Sequence, residues 1–152
     1  MVNRINITEE ERKWLAKGTL VHIHGNKHGP YKTEIMQSIF VIEFKPKDVE
    51  FYVGDPPKIF VLKTIKHEKD RTDKRLAVKI LMGRLIKHII KTGNGIVFIP
   101  KNWEDIEDWI TLCRPPDRPL IMVVDPSIKS YDEVRDMVKR CKDDENTMPA
   151  HL

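Results

Sequence analysis

The chain has 152 residues, of which 40% are apolar and 33% charged, and a formal net charge of +4. That length fits one domain with a real hydrophobic core, and the composition excludes an intrinsically disordered chain. No apolar run approaches the roughly 20 residues that span a bilayer, and Met1 to Thr8 lacks the apolar centre of a secretion signal, so a cytoplasmic protein without membrane attachment is expected.

Thr8 followed by Glu11 predicts a capping box that opens a short helix to about Lys17, ended by Gly18. Thr19 to His24 alternates, with Thr19, Val21 and Ile23 on one side and Leu20, His22 and His24 on the other, which predicts a strand. Gly25 to Pro30 is rich in turn residues. Ile35 to Phe44 contains Ile39-Phe40-Val41-Ile42, apolar on both faces and suited to a central strand, and Pro46 stops it. Val49, Phe51 and Val53 mark a short strand, and Gly54 to Pro57 turns the chain into another from Lys58 to about Lys66. These pieces form an antiparallel meander, followed by a charged connection from His67 to Asp73.

After Thr72 the period changes from two to 3.6. Val78, Met82, Leu85, Ile86, Ile89 and Ile90 fall on one face of a long helix, with Arg84, Lys87, His88 and Lys91 opposite them. Gly93-Asn94-Gly95 ends it, and Ile96 to Ile99 reads as a short buried strand. Asn102 caps a helix through about Leu112, with Glu104 and Asp105 in its first turn. Leu120 to Val124 is the last strand, and Ser130 with Glu133 makes a second capping box for a helix ending near Cys141.

The expected fold is α/β or α+β. It has a single mixed sheet, an N-terminal antiparallel meander followed by parallel β-α units, and helices packed on the sheet. Residues 1–143 form one domain and 144–152 a flexible tail. Abundant lysine and isoleucine, a single glutamine and prolines in the connecting segments give a thermophile-like balance. Cys113 and Cys141 each end a predicted helix; parallel neighbouring helices would bring them together, but two buried thiols are the simpler reading.

From Lys74 to Trp103 no acidic residue occurs, while Lys74, Arg75, Lys79, Arg84, Lys87, Lys91 and Lys101 do. The stripe Arg84, Lys87, His88 and Lys91, extended by Lys101, matches the footprint of a phosphate-backbone contact, because no carboxylate on the same helix pairs with its lysines. The first expectation is therefore a nucleic-acid-binding protein, DNA or RNA, with no cofactor, and an acidic protein partner is the alternative occupant of the same face.

His22 and His24 project from one strand face about 7 Å apart at the backbone, and His28 follows in the loop, a set able to hold a divalent metal. This His-hydrophobe-His arrangement resembles the signature of rolling-circle replication and relaxase nucleases. The resemblance implies a metal on the two histidines and a tyrosine nucleophile, for which Tyr31 and Tyr131 are the candidates. Glu43-Phe44-Lys45 resembles the Glu-x-Lys element of restriction-type nucleases, which implies Glu43 on magnesium and Lys45 beside the attacking water. Asp125 ends the last strand next to Lys101 and Asn102, where parallel sheets bind ligands, although Asp125-Pro126-Ser127 is also ordinary turn chemistry.

Overall fold

The computed structural model describes residues 6–24, 36–45, 57–65, 74–91, 96–111 and 119–147. The chain order is α1 (Glu9–Lys17), β1 (Thr19–His24), β2 (Met36–Phe44), β3 (Lys58–Ile65), α2 (Lys74–Arg84) continued by a π-helical segment (Leu85–Ile90), α3 (Trp103–Thr111), β4 (Ile121–Val124) and α4 (Tyr131–Thr147).

Local chemistry sets the helix starts. The Thr8 hydroxyl accepts from the Glu11 amide at 3.2 Å while the Glu11 carboxylate accepts from the Thr8 amide at 2.8 Å, so two donors that the first turn cannot satisfy are paired. Asn102 Oδ1 accepts from the Asp105 amide at the start of α3, and Ser130 and Glu133 cap α4 reciprocally.

The four strands form one antiparallel sheet in the order β1-β2-β3-β4. In register, Val21 faces Ile39 and Ile39 faces Lys63, while Leu62 faces Ile121. Alternation sends successive side chains of the two central strands to opposite faces. Ile39, Val41, Ile59, Val61, Met122 and Val124 pack with Ile106, Trp109 and Ile110 of α3 and with Val134, Met137 and Val138 of α4. Phe40, Ile42, Phe44, Phe60, Leu62 and Ile121 pack on the other face with Trp14 of α1, Leu81 and Met82 of α2, and Leu85 and Ile89 of the π-helical segment. The molecule is thus an α+β sandwich of three layers, α1 and α2 on one side and α3 and α4 on the other. On the first of these faces Phe44 stacks edge-on against Trp14 at 5.4 Å and tilts onto Phe60 at 4.9 Å.

Three expectations need correction. The second half does not form parallel β-α units: β4 joins β3 antiparallel, and the predicted strand at residues 96–99 is a single parallel bridge from Phe98 to Met122. Its ladder is two bonds, Phe98 amide to Ile121 carbonyl and Val123 amide to Phe98 carbonyl. A short apolar run looks the same whichever way its neighbour runs, so strand direction was not written in the pattern. The long basic helix is α-helical only to Arg84 and then widens into a π-helical segment. α4 runs to Thr147, six residues beyond the helix end expected near Cys141. The predicted strand Val49 to Val53, the turn at 54–56 and Cys113 lie outside the described residues; Cys141 is half-buried against the α3/α4 core.

Candidate nucleic-acid interface

α2 and the π-helical segment bury Ala77, Leu81, Met82, Leu85 and Ile89 and half-bury Val78, Ile86 and Ile90. Leu81, Leu85 and Ile89 are each four apart, a spacing that keeps all three against the sheet as the turn widens to the i to i+5 pattern. Lys91 closes that pattern, its amide donating to the Ile86 carbonyl at 2.9 Å. The buried face is thereby fixed, and the cations go outward.

They do not all arrive in the same state. Lys74, Arg75, Lys87 and Lys91 are exposed. Lys79 turns toward α1 and meets Glu11 at 2.6 Å, with the Asn6 carbonyl at 2.9 Å. Glu11 is only 5% exposed. Burial alone would raise its pKa, but the Lys79 hydrogen bond, the Thr8 amide and hydroxyl, and the Lys79 charge together hold it below the usual carboxylate value. Lys91 lies 4.0 Å from Glu10. No acid on the helix itself is there to pair with its lysines, but acids of α1 reach two of them across the α1–α2 contact. A groove of about 440 Å³ between these helices carries both signs, with Glu10 and Glu11 facing Lys79, Lys87 and Lys91.

Arg84 is half-buried and donates to the Lys63 carbonyl at 2.8 Å, beyond Leu62↔Ile121, the last pair of the β3–β4 register. Burial lowers the proton affinity of its guanidinium below the ordinary value. His88, also half-buried, lines a cleft with it. Lys101 stands apart. It precedes α3, donates its amide to Asp105, and sits at the carboxyl end of β4, whereas Arg84 and His88 sit near the amino end on the opposite layer.

Charge is segregated between α2, with its π-helical continuation, and α3. The stretch Lys74–Lys91 carries six lysines and arginines and no acid, while α3 carries Glu104, Asp105, Glu107 and Asp108 and no cation. α1 balances Glu9, Glu10 and Glu11 with Arg12, Lys13 and Lys17. α4 as far as Cys141 balances Asp132, Glu133 and Asp136 with Arg135, Lys139 and Arg140. The polarity across the sheet therefore comes from α2 and α3.

Of the residues expected for metal or nuclease chemistry, those described fall on both faces of the sheet. His22 lies on the α2 side of the sheet, its Nδ1 2.6 Å from the Ser38 hydroxyl, in the strand register that aligns His22, Ser38 and Thr64. Glu43 follows the alternation of Ile39 and Val41 and belongs to the α3/α4 side. Tyr131 is on that side too: its hydroxyl lies 3.0 Å from Thr19 Oγ1 and donates to the Val41 carbonyl at 3.3 Å, tying the start of α4 to β1 and β2. The sheet separates Tyr131 and Glu43 from His22. His28, Tyr31 and the His24 side chain lie outside the described residues, and among the described residues no cluster of three metal-ligating side chains exists. Lys45 is exposed just past β2. Asp125 makes the turn its sequence foretold, accepting from the Ser127 amide at 2.9 Å; that amide and the Ser127 hydroxyl, with Lys58, hold its carboxyl below the usual range.

Comparison with models of protein families, with curated proteins and with solved structures finds no match to this chain. Among the described residues no helix is long and apolar enough to cross a membrane.

Two residues escaped the sequence reading. Glu11 was legible as a cap but not as the partner of Lys79, 68 positions away. Lys63, in an alternating strand, gave no sign that its ammonium would be wholly buried under α3.

Proposed function

We propose that this protein binds nucleic acid through the phosphate backbone, with the outer surface of α2 and the π-helical segment as the contact face. The observation that carries the reading is the contrast between α2 with its π-helical segment, which holds six cations and no acid of its own, and α3 across the sheet, which holds four acids and no cation. A field of that form draws a polyanion to one side and turns the acidic helix away from it. Lys74, Arg75, Lys87 and Lys91 are the exposed contributors, and phosphate contacts from such side chains fix position without reading bases. No Phe, Tyr or Trp occurs between Lys74 and Lys91, so this face itself offers none of those rings for base stacking.

The test is a salt titration of binding to labelled duplex DNA and RNA by the wild type and by a variant with Lys74, Arg75, Lys87 and Lys91 changed to glutamine. The expected slope of log K against log salt becomes shallower by roughly one for each cation lost from the contact. Absence of salt-sensitive binding sinks the reading and leaves an acidic protein as the partner of this face. The reading requires no cofactor. Parallel samples with magnesium or manganese, inspected for cleavage, test the metal-dependent alternative directly.

A further inference from the structure

We propose that the cleft between Arg84 and the amino end of β4 binds a small organic acid, an apolar body bearing one carboxylate, with the Arg84 guanidinium holding the carboxylate. The cleft has a volume of about 480 Å³ and is lined by Arg84, His88, Ile96, Pro119, Leu120 and Ile121. That volume lies in the range of small-molecule sites, which are mostly apolar with few well-placed polar groups.

Arg84 is the informative member. A guanidinium has five N–H donors in a planar fork, and the hydrogen bond to the Lys63 carbonyl uses one of its nitrogens. Its neighbours on the helix, Lys79 and Lys91, meet carboxylates of α1, whereas among the described residues no carboxylate forms an ion pair with Arg84. A half-buried cation beside apolar walls is costly unless an anion joins it. Burial already lowers its proton affinity, which is the signature of that cost.

The walls decide what kind of anion. Ile96, Pro119, Leu120 and Ile121 offer hydrocarbon, and Ile96 is 82% exposed at the rim, where the body of a ligand would cover it. One guanidinium matches a planar carboxylate at two points, and Arg84 is the one lysine or arginine among the described lining residues, a single charge for a single carboxylate. The backbone geometry changes at this place too. The π-helical segment starts directly after Arg84 and contains His88, and such widened turns recur at functional sites.

The contact differs from the exposed lysines of the proposed nucleic-acid face, so either idea can fail alone. The test is a titration of the full chain, followed by amide NMR, with hexanoate and benzoate as probes and hexanamide and benzamide as neutral controls. The acids are expected to shift residues 84–90, 96, 120 and 121 saturably and to bind about tenfold or more tightly than the amides. Arg84→Gln is expected to erase that preference. Because Arg84 also holds the Lys63 carbonyl, Ile96→Glu serves as a second variant: an exposed residue whose new carboxylate repels the ligand, expected to weaken the acids about tenfold while leaving the unfolding midpoint unchanged. Equal binding of acids and amides, linear shifts spread over all exposed lysines, or full affinity in Ile96→Glu would overturn the proposal.

Discussion

The ammonium of Lys63 on β3 lies 2.6 Å from the carbonyl oxygen of Trp109 on α3, and 4.7 Å from the centre of the same residue's indole ring. It also reaches the Ile110 carbonyl at 3.2 Å. These are carbonyls of the last turn of α3, which the helix itself cannot satisfy and where the helix dipole is negative. Lys63 therefore acts as a cap delivered from the sheet, and Trp109 is held a second time by its indole N–H to the Pro119 carbonyl at 2.9 Å. Lys63→Met keeps the bulk of the stem but removes the cap. It is expected to lower stability by about 1–3 kcal/mol in urea unfolding, since buried carbonyls lose a donor. An increase in stability would mean that desolvating the ammonium costs more than the cap returns.

The Glu11–Lys79 pair predicts a pH dependence. The pKa of Glu11 in the folded protein is lowered from 4.5, so the unfolded chain binds the proton more readily. The pair's contribution to stability is complete above that unfolded value and is lost as the pH falls through the lower folded value. Glu11→Gln preserves an acceptor for the Thr8 amide but not the charge. Its stability is expected to fall less steeply than the wild type's below about pH 4.5, measured by chemical denaturation at a series of pH values. Parallel curves would assign the acid sensitivity to other carboxylates.

Gly18 and Gly83 are expected to respond to alanine in opposite directions. A Cβ on Gly18 would lie 2.5 Å from the Val41 carbonyl oxygen and 2.4 Å from the Phe40 ring, so backbone must move where α1 turns into β1. At Gly83 a Cβ meets nothing within 4 Å, in a helix interior where glycine is the weaker former. Gly18→Ala should cost about 1–3 kcal/mol, and Gly83→Ala should add roughly 0.5–1 kcal/mol. Thermal melts of the two variants check both signs.

Tyr131→Phe separates an anchor from a nucleophile. The hydroxyl bonds Thr19 and Val41, so its loss should destabilise by about 0.5–1.5 kcal/mol. Nucleic-acid binding and the integrity of the bound strand should be unchanged in a gel assay. Loss of a cleavage activity present in the wild type would restore the tyrosine to the chemistry.

Much of this architecture is legible in single residues. Thr8, Asn102 and Ser130 announce three helix starts because a cap is closed within three positions of the chain. The faces of β1, β2 and β3 follow from a period of two, and the run from Ile39 to Ile42 does lie between two helical layers. The basic stripe is harder to judge from sequence. Its acid-free composition is plain, yet Lys79 is neutralised by Glu11, Arg84 is drawn inward to Lys63, and Lys101 falls on the other side of the sheet.

The sequence by itself determined where helices begin, which strand residues face which layer, and that one helix would be wholly basic. Each of these depends on neighbours within a turn or a pleat. Only the tertiary structure decided that β4 runs antiparallel to β3, that the basic helix widens after Arg84, that Lys63 caps α3, and that α1 and α2 exchange charge. Those outcomes join residues tens of positions apart, and packing of the two cores, rather than any local preference, determines which side chains meet.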